Sequence, residues 1–113
     1  NTMSGGTWDY GQGRIEMIAE EIDILIEKNG TKKSKEELKD EFWRDSDWYT
    51  RYPEDLYHHK YPDEVLEEFK NAAKYLRIAY VYAQRIDWLV SGDDGEETFL
   101  ERLKEELENL KTK

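Results

Sequence analysis

The sequence predicts an all-α protein, an antiparallel three-helix bundle around one long central helix, with a short extra helix and an aromatic-rich irregular segment. Residues 63–91 run DEVLEEFKNAAKYLRIAYVYAQRIDWLVS without Pro or Gly, and Gly92 follows at once. Phe69, Ala72, Leu76, Ala79, Ala83, Ile86 and Val90 recur there at spacings of three and four, the period of one helix face. A second stripe, Tyr75, Ile78, Tyr82 and Leu89, widens that face beyond what a two-helix seam needs. Two shorter amphipathic stretches, 13–28 and 95–110, supply the flanking helices, and packing them on the long one is the simplest way to bury all three.

At 113 residues the chain is expected to form a single domain, 1–113, that buries about two-thirds of its unfolded surface. It has no Cys, which excludes disulfides and thiolate metal sites. The longest apolar run is far short of the ~20 residues of a membrane span, so no membrane partner is expected. With no basic-then-apolar leader in view, the expected location is cytoplasmic. Acids outnumber bases 27 to 17, for a net charge of −10. That disfavours direct nucleic-acid binding, which is mainly a Lys/Arg effect. A surface of this kind is either simply solvated or a decoy for a basic groove on another protein.

In chain order, residues 1–12 form an N-terminal arm containing Gly5, Gly6, Trp8, Tyr10 and Gly11. Converging glycine N–H groups suit an anion, but the dinucleotide fingerprint would need Gly where Glu16 stands. An arm that packs its aromatics on the bundle is the plainer reading. The first helix runs from about Gly13 to Lys28, with Ile15, Ile18, Ala19, Ile22, Leu25 and Ile26 on its core side and Asn29-Gly30 as its stop. Met17 and Ile24 stand opposite, either under another part of the chain or in a dimer contact.

Ser34 and Glu37 form a capping box, so a short helix is predicted from Lys35 to about Arg44, anchored by Leu38, Phe42 and Trp43. Residues 45–61 are irregular, with Trp48, Tyr49, Tyr52, Tyr57 and Tyr61 among charges and Pro53 and Pro62 as punctuation. Such a segment either caps the long helix or recognises a partner. Adjacent His58 and His59 diverge by about 100° on a helix, and HExxH is missing, so no metal site is expected.

The long helix opens on Pro62-Asp63-Glu64, which suits a positive dipole end. Its solvated face is predicted to carry Lys70, Lys74, Arg77 and Arg85, with Val81 and Trp88 between them, for salt bridging or for an anionic partner or second copy. After Gly92, Asp94 and Glu97 read as a capping pair for the last helix, whose Leu100, Leu103, Leu107 and Leu110 repeat at three and four. Glu101, Glu105 and Glu108 then form its outer, acidic face.

If both short helices run against the long one, the arm, the end of the long helix and the acidic turn meet at one pole. Gly5, Gly6, Trp8, Tyr10, Arg14, Arg85, Asp87, Trp88, Ser91, Asp93 and Asp94 are then the candidate site for a small anionic or polar ligand. Lys70, Lys74, Arg77, Val81, Glu101, Glu105 and Glu108 are candidates for partner binding. No catalytic residue and no cofactor is assigned, because the acidic pairs come with no nucleophile or metal pattern.

The same stretches carry a resemblance. Met3-Ser4-Gly5-Gly6 with Trp8, Asp9 and Tyr10, together with Arg85-Ile86-Asp87-Trp88 and Ser91-Gly92-Asp93-Asp94-Gly95-Glu96-Glu97, resembles small uncharacterised proteins of bacteriophages and mobile elements. Those carry an M-S-G-G-aromatic start and a D-W-x-x-S-G-D-x-G motif. The resemblance covers both ends, leaves residues 31–61 aside and brings no activity with it. It implies a phage-type accessory role in a bacterial host, such as countering host defence. Three expectations follow: a non-enzymatic protein that sequesters a nucleotide-like signal, an acidic inhibitor of a host protein, or an oligomeric assembly module.

Overall fold

The computed structural model describes Trp8 and residues 11–111. Its helices are α1 (Gly11–Lys28), α2 (Lys35–Lys39), α3 (Trp48–Arg51), α4 (Asp63–Val90) and α5 (Glu96–Lys111), with a 3-10 turn at Pro53–Leu56. The all-α expectation holds. Helix α4 is the axis, packing most extensively against α1 and less so against α5, while α1 and α5 share no comparable interface. No described helix is long and apolar enough to cross a membrane.

The helix ends follow from local chemistry. Ser91 closes α4 in helical geometry and Gly92 turns the chain at φ 90°. The Asp93 N–H then donates to the Trp88 carbonyl and the Gly92 N–H to that of Leu89, a Schellman stop. Gly30, at φ 71°, follows the end of α1 in the left-handed region, but its N–H donates to the His59 carbonyl at 3.2 Å instead of back to the helix. Beside it the Asn29 amide clamps Tyr61: its Nδ2 donates to the Tyr61 carbonyl at 3.3 Å, and its Oδ1 accepts from the Tyr61 N–H at 2.7 Å. This pair holds the end of α1 against the approach to α4.

Segments 30–33 and 56–59 pair as a short antiparallel ribbon, with Lys32 opposite Tyr57 and the His58 N–H on the Thr31 carbonyl at 2.7 Å. The ribbon carries the middle segment as a small module. Within it Glu41 accepts from Lys33 and from the Tyr49 hydroxyl, and Asp55 accepts from the Trp48 indole at 2.8 Å. The Arg44 guanidinium lies 4.9 Å from the Trp48 ring centre. Helix α2 has the expected capping box but ends at Lys39, short of Arg44. Its predicted aromatic anchors are not anchors: Phe42 is 85% exposed and Trp43 66%, their rings edge to face. At the opposite side of the module Tyr61 stacks on Phe69, the capping role expected of this segment.

Glu37 ties the module to α1. Its carboxylate accepts from the Ser34 N–H, from Lys28 at 2.9 Å and from His58 at 3.0 Å. The Ser34 N–H first, then Lys28, hold its pKa down at about 2, against 4.5 for a free glutamate. A depressed folded-state pKa means this stabilisation is complete above pH 4.5 and is lost as pH falls towards 2. Glu37→Gln should therefore flatten the fall of the urea midpoint across that interval while leaving the rest of the acid limb intact. An acid limb identical in the variant would remove the carboxylate's role.

The chain is thin. It measures 62 × 34 × 17 Å, with a radius of gyration of 19.8 Å against roughly 13 Å for a compact chain of this length. Among the described residues the fully buried apolar side chains are Ala19, Ala73 and Val81. All of them are small, as close helix approach requires. The buried residues of α4 are Ala73, Val81, Arg85 and Asp87. Of the face predicted to be solvated, Val81 and Arg85 are thus buried, Arg77 and Trp88 half-buried, and Lys70 and Lys74 exposed. Of the predicted core stripe Phe69, Ala72, Leu76, Ala79, Ala83, Ile86 and Val90, none is fully buried.

Candidate functional site

A cleft runs along α4 between α1 and α5, and its chemistry changes along its length. At the α1 C-terminal end it encloses about 700 Å³, lined by Asp23, Lys70, Lys74, Arg77, Leu110 and Lys111 over Ala73. Towards the α4 C-terminus it narrows to about 370 Å³, where Glu16, Tyr80, Arg85, Trp88 and Glu106 are the polar and aromatic walls. Arg77 and Leu110 belong to both parts. Lys70, Lys74 and Arg77 share the cleft because spacings of four and three return to one side of a helix. Arg77 is held by Asp23 at 2.7 Å.

The narrow end is a polar clamp. Arg85 is 2% exposed, 3.6 Å from Asp94 and 3.8 Å from Glu106, with its guanidinium 4.3 Å from the Trp88 ring centre. Arg102 reaches Asp94 from the outer side at 3.7 Å. Burial, then the charges of Glu16 and Glu106, push the Tyr80 phenol above its ordinary pKa. An incoming anion meets carboxylates here, whereas the wide end offers ammonium groups. Arg85 and Trp88 are therefore a structural tie between α4 and α5.

Part of the predicted pole is seen among the described residues. Gln12, in the first turn of α1, donates to Gln84 and to Asp87, both at 2.9 Å, so the start of α1 lies against the last turns of α4. Trp8 sits there, 44% exposed, its carbonyl accepting from the Gly11 N–H. The candidates do not converge on one pocket, however. Asp87 turns to α1 and Arg85 to α5, and Arg14 is exposed about 200° around α1 from Gln12. Ser91 donates to Asp87, the exposed Asp93 serves the helix stop, and Asp94 is spent on Arg85 and Arg102 instead of capping α5. Gly5, Gly6 and Tyr10 lie outside the described residues.

Of the partner candidates, Lys70, Lys74 and Arg77 line the cleft, Val81 is buried beneath it, and Glu101, Glu105 and Glu108 are exposed on α5. Sequence reasoning missed Lys111, which lies one residue past the predicted helical stretch 95–110, and Gln12, read as arm. Lys111 was reachable, since α5 continued one residue carries it past Leu110. Gln12 between two glycines gave no periodic signal. Compared with family models, curated proteins and solved structures, the chain matches none.

Proposed function

We propose that this is a non-enzymatic accessory binding protein that captures a compact anionic ligand of the nucleotide class in the wide part of the α4 cleft. One observation carries the reading: in a chain of net charge −10, Lys70, Lys74, Arg77 and Lys111 gather around one space of about 700 Å³, and among the described residues lining it Asp23 is the one acid. That volume lies in the range of small-molecule sites, and its Ala73 and Leu110 floor suits a base or sugar face while the ammonium groups take phosphate. The phage-type resemblance of the two end motifs supports sequestration of a nucleotide signal as the purpose. The test is thermal unfolding against a panel of mono-, di- and cyclic nucleotides, with inorganic phosphate as the control. At ligand near a hundredfold Kd the gain is about 2.7 kcal/mol, a shift of several degrees in Tm. Lys70→Glu with Lys74→Glu should abolish it. A Tm unmoved by every member of the panel overturns the reading.

A second reading is favoured by Glu101, Glu105 and Glu108, which stand exposed together on α5. They offer a basic groove of a host protein a row of carboxylates, and such binding weakens steeply with salt.

A further inference from the structure

The periodic apolar stripe of α4 and the surface the chain buries lie on different sides of that helix. Arg77 bonds Asp23 and Gln84 bonds Gln12, while Arg85 pairs with Asp94 and Glu106. These contacts put α1 and α5 on one flank. Between Ala72 and Val90 every charged residue of α4 turns to that flank: Lys74, Arg77 and Arg85 to the cleft, Asp87 to α1. The other flank is left bare and uncharged, with Tyr75 65% exposed, Tyr82 43%, Val90 63%, and Ala79 exposed between them.

Helix α1 continues this surface. Its Glu16 and Asp23 line the cleft, and Ile18 and Leu25 follow them by two residues, a turn of about 200°. Ile18 is 49% exposed and Leu25 50%. The antiparallel register set by Gln12–Gln84 and Asp23–Arg77 brings Ile18 level with the Ala79–Tyr82 turn and Leu25 level with Tyr75. Two antiparallel helices thus share one largely apolar face, edged on α1 by the exposed Arg14 and Glu21.

We propose that a second copy of this chain covers that face, the two α1–α4 hairpins packing about a two-fold axis as a four-helix bundle. A face spanning two antiparallel helices is self-complementary under such an axis, because the same patch meets itself. The exposed fractions of Ile18, Leu25, Tyr75, Tyr82 and Val90 leave roughly 600 Å² of surface on these five residues per protomer, the greater part of the ~800 Å² each partner gives to a standard interface. Helices α1 and α5 share no comparable interface, and Ala19, Ala73 and Val81 are the buried apolar residues among those described, so the α4 stripe finds little cover within the chain. A second copy turns that stripe into core. The interface differs from the dimer contacts the sequence offered: Val81 is buried within the chain, and Met17 and Ile24 lie around α1 from Ile18 and Leu25.

Sedimentation of the unmodified protein from micromolar to hundreds of micromolar concentration tests this. The expected result is twice the 13.6 kDa chain mass, reduced to one chain by Ala79→Arg and unchanged by Glu105→Arg on the outer face of α5. If Ala79→Arg loses helicity, the wild-type Tm decides: a Tm that rises with protein concentration supports assembly through this face, because folding and association are then linked. A wild-type chain that stays at 13.6 kDa with a concentration-independent Tm, or a folded Ala79→Arg that remains a dimer, overturns the proposal.

Discussion

Arg85→Leu is expected to destabilise the fold by about 3–5 kcal/mol, a large share of the ~5–15 kcal/mol that holds a domain of this size together. The cost comes from what is left behind. Asp94 is 9% exposed, and in the variant its remaining cation is Arg102, half exposed and at 3.7 Å. An uncompensated buried carboxylate loses hydration without recovering it in pairing. The Trp88 ring also loses the guanidinium above it, a contact worth about 1–2 kcal/mol when desolvated. The pair as a whole is worth much less than either half. Arg85→Leu with Asp94→Leu should recover most of the loss, because two buried charges and their desolvation disappear together. Urea midpoints of the two single variants and the double variant measure this. Additive losses would mean that Arg85 and Asp94 act independently, and the clamp would be discarded.

That clamp shows where the sequence was legible and where it was not. The three long helices, their order, the Ser34–Glu37 capping box and the Gly92 stop were readable, because each depends on residues within one or two turns, whereas the four-residue α3 inside the segment read as irregular was not. Which side of α4 faces α1 was not. The apolar sector of α4 spans more than one partner needs, and periodicity reports all burial, within the chain and beyond it, without naming the partner. Lys70, Lys74, Arg77 and Arg85 looked like a solvated stripe by the usual rule for charges. The structure buries only part of that stripe: Arg77 pairs with Asp23 and Arg85 with Asp94 and Glu106, while Lys70 and Lys74 stay exposed at the cleft, and Tyr75, Ala79 and Tyr82 are left bare on the other flank. The wide end of the cleft was partly legible, since three of its cations were grouped correctly. Arg14 of α1 and Arg85 of α4 were joined by nearness to one pole, and pole-level geometry does not resolve which way side chains two residues apart will point.

Gln12 is the residue through which that pole is held, and its substitutions should separate two kinds of loss. The side chain is 5% exposed, and its amide donates to the Gln84 carbonyl oxygen and to the Asp87 carboxylate, both at 2.9 Å. Gln12→Leu keeps the bulk and removes both donors. A hydrogen bond to a charged group is worth about 1.5–3 kcal/mol, so a loss of about 2 kcal/mol is expected. Gln12→Glu keeps the shape but sets a second carboxylate against buried Asp87, and the loss should be on the order of 3–5 kcal/mol at pH 7. The pH dependence tells the two apart. Two carboxylates in hydrogen-bonding contact share one proton, which raises the pKa of the pair in the folded state above that of the unfolded chain. The folded Gln12→Glu variant then binds more protons than its unfolded form, so its stability relative to wild type rises as pH falls through the raised pKa. Unfolding midpoints at pH 7 and pH 5 should show the gap between Gln12→Glu and wild type narrowing, while the gap for Gln12→Leu stays constant. A Gln12→Glu gap that is the same at both values would mean that residues 12 and 87 do not touch.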